Sequence, residues 1–160
     1  MDLKDFNINP FQLFHEKWAL LTAGNLDHHN SMTISWGEVG TLWNKSVVTV
    51  YVKPVRYTHK FMNENEYFVL SFFKEEYRKS LVVMGSKSGR DTNKDLKSGL
   101  TPLNYKDLTI YKEAELTIIC KKIYFNDLDI NAIPDKEKDT YYKVEKPHRM
   151  FIGEIMEIIK

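Results

Sequence analysis

Four runs of this chain carry the residue types that pack on a pleated sheet. They are 46–53 (SVVTVYVK), 67–73 (YFVLSFF), 114–125 and 150–159 (MFIGEIMEII), all dense in β-branched or aromatic side chains. A fifth run, 18–23, is apolar and stops at Gly24-Asn25. The helices that fit between them are short. One spans 11–17, behind Pro10 and with Asn9 as its N-cap; another spans 56–63; a third fits 75–86, where charges precede apolar residues. Strand and helix do not alternate regularly enough for a doubly wound parallel sheet. The pattern predicts a mainly β fold, an antiparallel barrel or sandwich with a few short peripheral helices.

The remaining stretches read as connections. Gly37, Gly40 and Asn44 punctuate an expected loop holding Trp43. Residues 86–99 read as a loop with one helical turn, and the charges after Pro102 as surface structure. The run 114–125 is expected to bend near Lys121-Lys122, and 126–146 to form a polar excursion with a short helix. No repeat or linker divides the chain, so 1–160 is expected to be one domain.

Composition narrows the function classes. Lys plus Arg number 23 against 22 Asp plus Glu, a balance unlike that of a general nucleic-acid binder. Aromatic residues make up 13%, which suits a β-rich interior or a planar ligand. Cys120 is the one cysteine, so neither an internal disulfide nor a cysteine-based metal site can form, and its apolar setting predicts a buried thiol. The N-terminus lacks a signal-peptide core, and no run reaches the roughly 20 apolar residues of a membrane span. A cytoplasmic setting with no membrane contact is the expectation.

The stretch 22–37 (TAGNLDHHNSMTISWG) joins a strand-like entry, a turn-rich loop with two histidines and a strand-like exit. In the exit, Ser31, Thr33 and Ser35 alternate with Met32, Ile34 and Trp36. An extended segment then places hydroxyls on one face and apolar groups on the other. Both an ordinary half-buried strand and a ligand wall fit that pattern. His28 and His29 are adjacent and point opposite ways on a strand, so they do not chelate a metal as a pair.

Several site types are set aside by their missing motifs. The chain has no G-x-G-x-x-G after a strand, no G-x-x-x-x-G-K-[ST], no H-E-x-x-H and no G-x-S-x-G. A positive signal lies at 53–60 (KPVRYTHK), where cations and a hydroxyl meet a strand-to-helix junction. Free N–H groups and the helix dipole suit a phosphate there, with Arg56 able to bind it bidentately and Thr58 to donate a hydroxyl. The loop 86–94 (SKSGRDTNK) has the composition of a second anion cradle. A planar, partly polar ring with a phosphate tail uses all three features, and FMN is such a ligand. A solvated charged turn is the plainer alternative for either loop.

In order along the chain, WALLTAG (18–24), NSMTISWG (30–37), GTLW (40–43), VKPVRYT (52–58), YFVLSFF (67–73), SGRD (88–91) with Lys94, and His148 ahead of IGEI (152–155) resemble the flavin reductase-like FMN-binding proteins, particularly the flavoredoxin-type branch. The resemblance implies a Greek-key split β-barrel, a homodimer, and FMN held noncovalently near the subunit interface. It implies that Asn30, Ser31, Met32, Thr33 and Trp36 contact the ring or ribityl chain. Arg56, Thr58 and Lys94 then serve the ribityl-phosphate end, and Ser71 and Phe72 lie against the isoalloxazine. His148 falls on the dimer or substrate side. The implied activity is an FMN-dependent reductase fed by NADH or NADPH; the alternative is a non-enzymatic FMN electron carrier reduced by a redox protein. No catalytic residue is assigned. Three positions depart from the family pattern. Lys53 stands where arginine is common, keeping charge but losing the bidentate fork. Ser46 stands where proline is common, and Pro147 where an acidic or aromatic residue is more typical.

Overall fold

The computed structural model describes residues 5–160. Its main feature is a seven-stranded, wholly antiparallel sheet of strand order β2-β1-β5-β8-β9-β4-β3. The strands are β1 (Ala19–Asn25), β2 (His28–Ile34), β3 (Gly37–Leu42), β4 (Lys45–Val52), β5 (Tyr67–Phe72), β8 (Leu116–Asp127) and β9 (Arg149–Ile159). A separate hairpin joins β6 (Pro102–Tyr105) to β7 (Leu108–Tyr111). The helices are α1 (Tyr57–Glu64), α2 (Arg78–Ser86), α3 (Lys94–Ser98) and α4 (Asp135–Tyr141). None among the described residues is long and apolar enough to cross a membrane.

The topology forces curvature. β2 and β3 lie at opposite edges of the sheet, yet only Ser35 and Trp36 separate them in the chain. Three Cα steps of about 3.8 Å carry Ile34 to Gly37, so the two edges come within about 11 Å at that end. The sheet therefore curls into a barrel whose seam runs between β2 and β3. Along the seam β2 pairs only with β1, which leaves its outer backbone edge free of sheet partners.

Alternation along the strands separates two buried layers. Leu21 and Ala23 of β1 face the barrel interior, with Val48, Val50, Leu70 and Phe72. Phe14 plugs one end of this core edge-on to Phe72, at 5.8 Å between ring centres. Gly37 admits that ring, because a Cβ there would lie 2.4 Å from it. Leu20 faces outward into a second cluster with Phe73, Leu81, Met84, Leu100 and Tyr111, where α2 and β7 cover the sheet. β1 is thus buried on both faces, and its run is apolar but for Thr22 before the turn.

Four sequence expectations change. The two histidines lie inside β2, because β1 and β2 are joined by the two-residue turn Leu26-Asp27. Gly24 permits that hairpin with φ of +106°, where a Cβ would meet His28 O at 2.2 Å. The expected loop at 37–42 is β3, paired residue by residue with β4. A Cβ at Gly40 would meet nothing within 4 Å, so this glycine marks no break. The real turn is Trp43-Asn44, both at positive φ, as a two-residue hairpin needs. The β6–β7 hairpin was expected only as surface structure; its four-residue strands are too short for alternation to identify. The N-terminal helix keeps its Asn9 cap, with Asn9 Oδ1 accepting from Phe11 N at 3.0 Å, but winds as a π-helical turn over Gln12–Glu16. The bend in β8 is present as register shifts against β9 at Ile119/Cys120 and Lys122/Tyr124. Cys120 is fully buried, as its apolar run predicts.

Candidate functional site

The start of α1, the end of α2 and the loop 87–93 converge on β2 around a small pocket of about 150 Å³. Arg56 stands just ahead of α1 in extended conformation, so its guanidinium reaches across the pocket and donates to Gly85 O at 2.7 Å. Lys94 opens α3 and donates from Nζ to Met84 O at 2.7 Å. Both acceptors belong to the last turn of α2, where unpaired carbonyls gather at the negative end of the helix dipole. Asn30 Nδ2 donates to Thr58 Oγ1 at 2.7 Å in the buried floor. Gly89 brings the loop backbone close, since a Cβ there would lie 2.1 Å from Asn30 Oδ1. Arg90 lies across the Tyr57 ring at 4.9 Å and donates to Val55 O at 3.3 Å.

Electrostatically the pocket is unbalanced. Lys94 is only 6% exposed. Burial, and then the neighbouring Arg56 charge, bring its pKa down to about 8, against a smaller opposing pull from Asp95. Burial also lowers the pKa of Arg56, with Glu145 working the other way. Among the described residues neither cation closes an ion pair with a carboxylate. Two cations held together by helix carbonyls alone form a site that an anion would complete.

A relay of side chains holds α3 in place. Thr22 Oγ1 and Ser31 Oγ lie 2.8 Å apart, and Ser31 Oγ is 2.8 Å from Tyr111 Oη. Tyr111 donates to Asp95 Oδ1 at 2.6 Å, and His29 Nε2 meets Asp95 Oδ2 at 2.9 Å. Burial opposes charge on both members of the last pair. The His29 and Tyr111 hydrogen bonds nevertheless lower the pKa of Asp95, and Asp95 raises that of His29. Burial and the Asp95 charge push the Tyr111 hydroxyl far up, so it stays a donor. A five-residue helix has little stability of its own. With both oxygens of Asp95 clamped, its neighbour Lys94 is fixed over the pocket.

A model of the flavin reductase-like domain matches residues 11–159. The chain belongs to the flavin reductase-like family. An uncharacterized protein of Pyrococcus abyssi is 28% identical over 109 residues, covering 68% of this chain and 63% of that protein. The match thus spans less than two thirds of that relative. Two solved structures share the fold. Flavoredoxin of Desulfovibrio vulgaris (Miyazaki F) is 22% identical with a TM-score of 0.68, over 89% of this chain and 68% of that one. An FMN-binding domain of a flavin reductase-like enzyme from Shewanella baltica is 20% identical with a TM-score of 0.66, over 93% and 71%. The curled sheet with its open seam is accordingly the split barrel of this family.

Within this flavin reductase-like fold, the residues singled out from sequence separate into groups. Asn30, Met32, Arg56, Thr58 and Lys94 line one pocket. Ser31 and Thr33 back it from the other face of β2: Ser31 is tied into the relay, and Thr33 donates to Leu81 O at 2.5 Å. Trp36 lies at the far end of β2, its ring 5.2 Å from Tyr141 and 5.1 Å from His148. Ser71 and Phe72 stand apart. Both are fully buried in β5, on the far side of β1 from β2, and Phe72 belongs to the barrel core. Neither lines the pockets described. Ser86, Ser88 and Arg90 complete the pocket from the loop flagged as an anion cradle. His29, Asp95 and Tyr111 carried no local signal, because their partners are 66 and 16 residues away in the chain.

Proposed function

We propose that this chain binds FMN noncovalently and acts as a flavin reductase-type oxidoreductase, passing electrons from NADH or NADPH to an acceptor. The observation that carries the reading is the pairing of half-buried Arg56 with buried Lys94 at the free edge of β2, neither of them ion-paired with a carboxylate among the described residues. A phosphate dianion fits that donor set: Arg56 supplies a planar fork, Lys94 a point charge and Thr58 a hydroxyl. The isoalloxazine, when bound, supplies the two-electron chemistry. The chain's own part is to hold and orient. Residues 30–36 extend about 20 Å along the seam, and the unpaired backbone edge of β2 there offers N–H and C=O groups to a pyrimidine edge. Asn30, Met32 and Trp36 are the contacts we assign along that edge. Ser31 and Thr33 support it through the relay and α2 rather than by donating hydroxyls to the ring. Family membership supports the flavin, and the name of the Shewanella baltica domain supports FMN in particular. We infer a homodimer as well, on the family pattern and on the exposure of Trp43.

The test begins with purified protein incubated with FMN and freed of excess. A bound flavin spectrum that bleaches with NADH or NADPH under anaerobic conditions supports the reading. A colourless protein refutes it. Bound FMN that ignores both nucleotides but is reduced rapidly by a ferredoxin-type protein identifies an electron carrier. Sedimentation of the loaded protein reads the oligomeric state.

A further inference from the structure

Beyond Trp36 the mouth of the barrel opens into a second cavity of about 770 Å³, within the size range of small-molecule sites. Its walls are aromatic. Phe11 and Phe14 come from the N-terminal segment, Trp36 from the seam, and Tyr141 and Tyr142 from the end of α4. Trp36 is 43% exposed and Tyr141 45%, and the two rings meet edge to face at 5.2 Å. An exposed aromatic surface, two rings set at right angles, therefore stands open beside the free edge of β2.

The charge of this cavity is opposite to that of the Arg56–Lys94 pocket. Glu38 and Glu137 line it, and no lysine or arginine among the described residues does. An anion, including the phosphates of a nicotinamide nucleotide, is disfavoured there. Two polar pairs interrupt the apolar wall: Tyr51 Oη donates to Glu38, and Tyr142 Oη lies 2.8 Å from His148 Nδ1. Burial, then the charge of Lys53, hold His148 down at about 4 against the pull of Glu145, so its ring is neutral near pH 7. Lys53 is itself paired with Glu145. One of the two groups donates to the other, and the pair as a whole can both give and accept a hydrogen bond. The wall thus combines aromatic faces, hydrogen-bonding groups at Tyr142 and His148, and rim carboxylates.

We propose that this cavity binds a neutral, planar aromatic carbonyl compound, on the acceptor side of the site. Only its place on the acceptor side rests on the flavin reading; the binding itself does not. Calorimetric titration of the FMN-free and FMN-loaded protein with 1,4-naphthoquinone and with 1,4-naphthoquinone-2-sulfonate tests it. The one cysteine, Cys120, is fully buried, which keeps it from forming a thiol adduct with the probe. The neutral quinone is expected to bind both forms, and the sulfonate at least roughly tenfold more weakly. Ile133→Trp, which fills the cavity from its wall, should abolish quinone binding and leave FMN affinity unchanged. Tyr142→Phe should weaken the quinone roughly fivefold. Equal affinity for the two probes overturns the proposal, as does binding that survives Ile133→Trp. Mutual exclusion with FMN would make the cavity the seat of the flavin ring instead. Loss of binding on self-association would make a second copy the occupant. FMN titration of the same samples keeps the two readings apart: quinone binding without FMN binding sinks only the flavin reading.

Discussion

Replacing Lys94 with methionine should move stability and cofactor affinity in opposite directions. Lys94 is almost wholly buried, and its pKa falls from an ordinary 10.5 to about 8. That displacement corresponds to at most about 3 kcal/mol of destabilisation carried by the charged form below the folded pKa. Methionine fills a similar volume without charge. It forfeits the bond to Met84 O, worth about 1 kcal/mol. The FMN-free Lys94→Met protein should therefore be more stable than the parent by about 1–2 kcal/mol at neutral pH. The pH dependence has a definite sign. Lys94 binds fewer protons folded than unfolded between about pH 8 and 10.4, so the parent gains stability as pH rises through that window. The advantage of the variant is complete below pH 8 and shrinks above it. Affinity for FMN should fall by about 1.5–3 kcal/mol, roughly 10- to 150-fold, because a charge-assisted bond to the phosphate is lost.

Thermal unfolding of the FMN-free proteins at two pH values and flavin-fluorescence titration read the two quantities. Riboflavin, which has no phosphate, is the control and should bind parent and variant alike. A variant that is less stable at neutral pH yet binds FMN as well as the parent would refute the reasoning, because Lys94 would then be a structural cation.

Three further substitutions test neighbouring parts of the pocket. Arg56→Ala should weaken FMN by about 1.5–3 kcal/mol and leave riboflavin unaffected, by the same titration. Tyr111→Phe removes the hydroxyl between Ser31 and Asp95; chemical denaturation should read a loss of about 1–3 kcal/mol, and FMN affinity should fall more than riboflavin affinity as Lys94 loses its anchor. Gly89→Ala drives a methyl into Asn30, which the Thr58 hydroxyl holds in place; unfolding is expected to lose about 1–3 kcal/mol, and unchanged stability would mean that the loop 87–93 moves aside freely.

The fold was legible where side chains report a pleat directly. Residues 46–53 and 67–73 have β-branched or aromatic groups at nearly every position, and both are strands in the barrel wall. Residues 37–42 were not legible, because GEVGTL owes its extended form to the ladder with β4 rather than to its own propensity. The candidate site divides along the same line. Arg56 and Thr58 sit at a strand-to-helix junction, a local feature that a linear reading can see. Asp95 and Tyr111 matter only because α3 and β7 fold back onto β2. Ser71 and Phe72 stand differently. Their run resembles the family pattern, but β1 lies between them and the pocket.

The split in the barrel explains why these parts collect where they do. A fully closed barrel would spend both backbone edges of β2 on sheet pairing. Here the two-residue link Ser35-Trp36 brings β2 and β3 to the same place without pairing them, so one strand keeps a free edge in an otherwise saturated sheet. Such an edge invites strand addition by another chain unless it is covered or occupied. On one flank α2 and the loop 87–93 cover it and set two cations at its start; at the other end α4 sets tyrosine rings beside Trp36. Each flank is poorly satisfied alone, the first in charge and the second in exposed aromatic surface. A ligand with an anionic tail would relieve the first and lay its ring along the edge, leaving the aromatic surface of the second open to another planar molecule. His28 and His29, conspicuous in the sequence as a pair, act separately in this arrangement. His28 packs its ring 4.7 Å from Phe61. His29 is tied through Asp95 to the placement of Lys94.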